Sequence, residues 1–140
     1  MASSQPDLYE ALAEFRYTLR KFQHFSDQSA RNVNLEPQHH QLLLAVMGSP
    51  EQRLTVGEIA EHLQIQPHSA VGLVARAADR GLVVRERSAV DRRQVLVSIT
   101  GDGVGVLHEL SAAHRQELQS AAPDLIRMLQ RILAADVTAS

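Results

Sequence analysis

The chain has 140 residues, 44% hydrophobic and 21% charged, which suits one soluble domain with an ordinary core. Its lack of cysteine excludes disulfides, thiolate metal sites and thiol-based redox sensing. The net charge is only −2, but six arginines (Arg76, Arg80, Arg85, Arg87, Arg92, Arg93) face three acids between Gln66 and Ile99, while the remainder is acidic. A basic stretch in an otherwise acidic chain is one form of nucleic-acid footprint; by itself it fits a solvated face equally well.

Few aromatics and few β-branched runs favour helix. Leu8, Leu12, Phe15, Leu19 and Phe22 recur at spacings of three and four, which predicts a long first helix over residues 8–32. Asn32-Val33-Asn34 breaks that pattern, and Glu36-Pro37 opens a second helix carrying Leu42, Leu43, Leu44 and Val46 to a stop at Gly48-Ser49-Pro50. Thr55 with Glu58 three residues later forms a capping box for a third helix, with Val56, Ile59, Ala60 and Leu63 inward. After the short Gln64-Ile65-Gln66 connection, Pro67 starts a fourth helix that buries Ala70, Leu73, Val74 and Ala77 and ends at Gly81.

Beyond Gly81 the period changes to two. Val83–Arg87 and Val95–Ile99 alternate around a charged tip, Ser88–Arg93, which predicts a β-hairpin. Thr100 caps a fifth helix with Val104, Leu107 and Leu110 inward. Gly101, Gly103 and Gly105 weaken its start by roughly 1 kcal/mol each relative to alanine. Pro123 begins or bends a last helix over 124–134, and the tail 136–140 is expected to fray.

Two helices joined by a three-residue turn make a helix-turn-helix, with Ile65 plugging the angle. The second helix leaves its outer face free, and a helix fits the DNA major groove, where base edges carry a readable code. That face carries Gln66, Pro67, His68 and Ser69 at its N-terminal end, then Gly72 and Arg76. Gln66 suits adenine, and Ser69 suits a base or a phosphate. Gly72 would let the backbone approach a thymine methyl or a phosphate. Arg92 and Arg93 at the hairpin tip suit a narrow minor groove, with Asp91 placed to hold one guanidinium in a fixed fork.

The runs Leu54–Leu63, Gly81-Leu82-Val83, Asp91-Arg92-Arg93 and Val95–Thr100, in this order and spacing, resemble the MarR family of bacterial and archaeal regulators. Leu35-Glu36-Pro37-Gln38 extends the likeness more weakly. The resemblance implies a winged helix-turn-helix that dimerises through its terminal helices. It also implies a repressor of palindromic operators released by small lipophilic or phenolic effectors. By position it puts Pro67, His68, Ser69, Gly72 and Arg76 on the reading helix and matches Asp91 and Arg93 to the family's wing pair. It suggests an effector site near His39, His40, Leu43 and Leu107. The chain departs from the common pattern at Gln66, where Ser or Thr usually caps the reading helix, and at Pro67 and Gly72, which replace frequent arginines. Operator preference therefore does not carry over, and the lack of cysteine speaks against peroxide sensing.

The expected fold is mainly helical with a small β-hairpin wing, about six helices in all, in one domain over 1–140. Residues 7–34 and 101–135 are expected to be dimerisation helices, and 36–100 the winged helix-turn-helix region. The terminal helices carry more apolar surface than one small winged helix covers, so a two-fold homodimer is expected, with reading helices about 34 Å apart on double-stranded DNA.

The alternatives are weaker. A zinc-responsive regulator needs converging ligands. The seven histidines (His24, His39, His40, His62, His68, His108, His114) contain no H-x-x-x-H pair, so no metal or cofactor is expected. An enzyme lacks support, because no nucleophile elbow, P-loop or dinucleotide glycine pattern occurs. A protein-docking winged helix would show apolar residues where this chain shows arginines. No apolar run reaches the roughly 20 residues of a membrane span, and Met1–Asp7 lacks signal-peptide character, so a cytoplasmic location without a membrane partner is expected.

Overall fold

The computed structural model describes residues 5–135, so the tail 136–140 lies outside the described residues. The elements run α1 (Gln5–Asn32), α2 (Pro37–Met47), β1 (Arg53–Thr55), α3 (Val56–Leu63), α4 (Pro67–Asp79), β2 (Val83–Arg87), β3 (Val95–Ile99) and α5 (Gly101–Ala134). The architecture is a mainly helical winged helix. Among the described residues it has five helices rather than six, because α5 runs through Pro123. A proline inside a helix removes one backbone bond. Here both Pro123 and Gln119, whose carbonyl loses its donor, are exposed, so water can take the place of the missing partner.

Two compact units divide the chain, Ser29–Ser111 in one and the flanking terminal segments in the other. In the first, Leu42, Leu43, Val46, Ile59, Leu73, Val74, Val83 and Val97 form a closed apolar cluster with Leu107 and Leu110. Each comes from a position that the 3.6- or two-residue period turns inward. The capping box of α3 is present, with Glu58 N–H donating to Thr55 Oγ1 at 3.1 Å and Thr55 N–H donating to Glu58 Oε1 at 3.0 Å. The turn to α4 reverses at Gln64, φ 53°, and Ile65 packs against the cluster. Gly81, φ 74°, closes α4 in the left-handed region, and the Leu82 N–H returns to the Ala77 carbonyl at 3.0 Å.

The wing is a three-stranded antiparallel sheet in the order β1-β3-β2, not a lone hairpin. β2 pairs with β3 from Val83↔Ile99 to Arg87↔Val95, and β1 adds Arg53↔Ser98 through Thr55↔Leu96. At three residues β1 is too short to show a period. Its ordering comes from non-local pairing with β3 and from burial of Leu54.

In the terminal-segment unit, the predicted stripe of α1 is only partly covered. Leu8, Phe15 and Phe22 are half-buried, while Leu12 and Leu19 remain exposed. Phe22 and Phe25 meet the His114 ring edge-on at 6.1 and 5.6 Å, and His114 Nε2 lies 2.9 Å from Ser26 Oγ. Ile126, Leu129 and Leu133 on α5 are exposed as well. No described helix is long and apolar enough to cross a membrane.

Candidate nucleic-acid interface

The geometry of α4 follows from its inward residues. Ala70, Leu73, Val74 and Ala77 are fully buried, which turns Gln66, Pro67, His68 and Ser69 outward, and all four are exposed. Gln66 occupies the N-cap in extended conformation, and its side chain makes no cap hydrogen bond. It therefore remains available to a ligand, as do the free N–H groups of the first turn. Val71, which sequence reasoning did not single out, is 57% exposed next to Gly72. Its absence from the buried set was the available signal, and its branched side chain suits a thymine methyl.

Arg76 is not a free cation on this face. Its guanidinium forms a two-point fork with Glu36, Nη2 to Oε1 at 3.0 Å and Nε to Oε2 at 3.3 Å. That bond holds the Glu36 carboxyl below its usual range.

The wing tip is a built turn. The buried Ser88 hydroxyl accepts the N–H groups of Val90 and Asp91, each at 3.2 Å. Asp91 Oδ1 accepts the backbone N–H of Arg93 at 3.0 Å and its Nε at 3.3 Å. The Asp91–Arg93 side-chain contact is thus a single bond reinforced by a backbone one, rather than a two-point fork. Arg87 Nη1 donates to the Arg92 carbonyl at 2.8 Å and steadies the tip from β2. The Arg93 side chain is 92% exposed, and Arg92 is exposed beside it. The tip therefore holds two outward cations on a turn whose backbone donors are largely satisfied.

Residues 33–94, which hold the helix-turn-helix and wing tip just described, match the sequence model of the MarR family. Over that stretch, somewhat less than half of its length, the chain is similar to the MarR family. An HTH-type transcriptional regulator of Mycobacterium tuberculosis is 33% identical over 89 residues, 62% of each chain. The organic hydroperoxide resistance transcriptional regulator of Bacillus subtilis is 36% identical over 67 residues, 48% of this chain and 44% of that one. The chain spans about half to three-fifths of the length of the curated relatives it matches. Among solved structures, the MarR regulator Sco3205 of Streptomyces coelicolor in complex with DNA has a TM-score of 0.74. It is 21% identical, covering 95% of this chain and 87% of that one. That likeness shows the MarR fold.

The four residues singled out for an effector are placed differently from an open pocket. His39 and His40 are buried, and Leu43 and Leu107 belong to the closed apolar cluster. Neither ring nitrogen of His39 makes a well-formed hydrogen bond. Its neighbours are Glu36 Oε2, 3.6 Å from Nε2, and the backbone of Leu73. Burial pushes the His39 pKa below its usual 6.5, against the pull of Glu36 and with a smaller push from Arg76 and Arg80. The unfolded chain then binds a proton that the folded chain refuses. Stability contributed by neutral His39 is complete above about pH 6.5 and declines as the pH falls below it. Urea denaturation from neutral to mildly acid pH should show this decline, and His39→Leu should flatten it. An unchanged pH profile in His39→Leu would remove His39 as the cause. Among the described residues, no three His, Asp or Glu side chains converge as a metal site.

Proposed function

We propose that the protein is a DNA-binding transcriptional regulator that grips a pseudo-palindromic duplex as a homodimer. The carrying observation is the outward N-terminal face of α4 together with a fixed wing tip bearing Arg92 and Arg93. Gln66, Pro67, His68, Ser69 and Gly72 meet the major groove. Asp91, Arg92 and Arg93 form the wing element that approaches the minor groove. The half-covered apolar residues of α1 and the C-terminal part of α5 supply the dimer surface, buried isologously across a two-fold axis.

As in its family, the regulator represses, and a small lipophilic or phenolic effector releases it from DNA by favouring a dimer whose reading helices miss the groove spacing. The site of His39, His40, Leu43 and Leu107 serves this role only by opening the cluster that now encloses Leu43 and Leu107.

The test is selection of duplexes from fragmented genomic DNA, followed by fluorescence anisotropy over a range of salt and sedimentation of the free protein. A selected duplex is expected to lose at least about a hundredfold in affinity between roughly 50 and 200 mM salt, as several phosphate contacts require. Failure to select any duplex, or affinity that hardly responds to salt, overturns the reading. A monomer at working concentrations overturns the dimer. Phenolic compounds added to the bound complex test release directly.

A further inference from the structure

Arg76 stands on the same outward face as Ser69 and Gly72, at spacings of seven and four, where a cation would normally be read as a DNA contact. Its guanidinium is turned back along the helix instead. A Cβ on Gly72 would lie 3.4 Å from Arg76 Nη1, so the guanidinium lies over Gly72 at a distance that even an alanine would tolerate. The other half of the contact is Glu36, forty positions away at the entry to α2. It makes no side-chain cap bond to its own helix and gives both carboxylate oxygens to Arg76.

We propose that Glu36 acts as a clasp that masks Arg76, withholding one cation from the DNA phosphates and making Glu36 a positioning residue that limits affinity. The proposal rests on the DNA-binding reading above. A two-point carboxylate–guanidinium pair occupies the Nε–Nη2 edge, two of the five N–H donors, and offsets the charge, so a phosphate must compete with Glu36 for a bidentate grip on this group. Removing the clasp's carboxylate therefore adds a phosphate contact instead of removing one. Glu36 caps no helix with its side chain, but its Oε2 lies 3.6 Å from buried His39 Nε2, so the near-isosteric Glu36→Gln is used, and circular dichroism with a melting curve checks that the fold is kept.

The experiment titrates wild type, Glu36→Gln, Arg76→Ala and the double variant into a random-sequence duplex over a range of salt. The probe isolates phosphate contacts, because no base sequence is selected. Arg76→Ala is expected to leave the salt slope unchanged. Glu36→Gln should bind several-fold more tightly and steepen the slope by about 0.9 per DNA-bound subunit. The double variant should return to the slope of Arg76→Ala, which separates the freed cation from the general effect of removing a negative charge. An Arg76→Ala slope that is flatter by about 0.9 means that Arg76 already reaches a phosphate, and overturns the clasp while leaving DNA binding in place. A Glu36→Gln gain that survives in the double variant also overturns it. A wild type that binds no duplex overturns the DNA reading itself, and this proposal with it.

Discussion

Replacing Gly103 with alanine is expected to lower stability by about 2–3 kcal/mol and the melting temperature by roughly 6–10 °C. A Cβ at this position would sit 2.4 Å from the Leu82 carbonyl oxygen and 2.7 Å from Ile99 Cγ1. The Ile99 side chain can give a little, but the carbonyl cannot. Leu82 O already accepts the Thr100 N–H at 3.0 Å, Thr100 Oγ1 donates to the Gly81 carbonyl at 2.6 Å, and Gly103 N–H donates to Thr100 Oγ1 at 3.1 Å. Moving Leu82 would therefore disturb the end of α4, the last residue before α5 and the first turn of α5 together. Alanine recovers up to about 1 kcal/mol of helix propensity, which the clash exceeds. Gly105, two residues on, is an internal control. Nothing lies within 4 Å of a Cβ there, so Gly105→Ala is expected to stabilise by about 0.5–1 kcal/mol. Melting curves must be compared at one protein concentration, because the proposed dimerisation would make them concentration-dependent. A Gly103→Ala protein that melts at or above wild type would refute the packing argument.

These glycines also show where the sequence stops being informative. Read along the chain, Gly101, Gly103 and Gly105 are three equal weaknesses at a helix start. In space, only Gly103 touches the α4–β2 connection, because β3 returns beside β2 and delivers α5 against it. The local signals held: the Thr55–Glu58 box, Pro67 at the first turn of α4, the left-handed Gly81 and the inward set of α4 depend on neighbours within four residues. What was not legible depends on distant pairing. Strand β1 exists through partners more than forty residues away. The Glu36–Arg76 fork joins two helices whose approach angle no periodicity contains. Sequence alone divides the last helix at Pro123 because an interior proline usually breaks or kinks a helix, and the exposed setting that tolerates it is a tertiary property. The outward face of α4 was legible for the opposite reason: once the buried spacing is known, the remaining positions must point away from the core.

At the wing, charge and geometry predict opposite signs for one substitution. Asp91→Ala removes a negative charge beside two arginines on the proposed DNA-facing tip, and by Coulomb attraction alone it should strengthen binding. The structure argues for the reverse. Asp91 Oδ1 is the acceptor for both the backbone N–H and the Nε of Arg93, while the Asp91 carbonyl accepts the Gln94 N–H at 3.0 Å and closes the turn. Losing the carboxylate leaves the Arg93 N–H to water and frees a side chain that is already 92% exposed, so ordering it on DNA costs more rotamer entropy. Asp91→Ala is therefore expected to weaken DNA binding about tenfold although the net charge rises by one. Arg93→Ala should weaken it at least as much, by roughly 10–100-fold, and flatten the salt slope by about 0.9 per bound subunit if the guanidinium meets a phosphate. Because the two residues act as one unit, the double variant should be little worse than Arg93→Ala. Tighter binding by Asp91→Ala would mean that the carboxylate only repels DNA, and the shape of the wing tip would then have to be assigned to Ser88 and Arg87 alone.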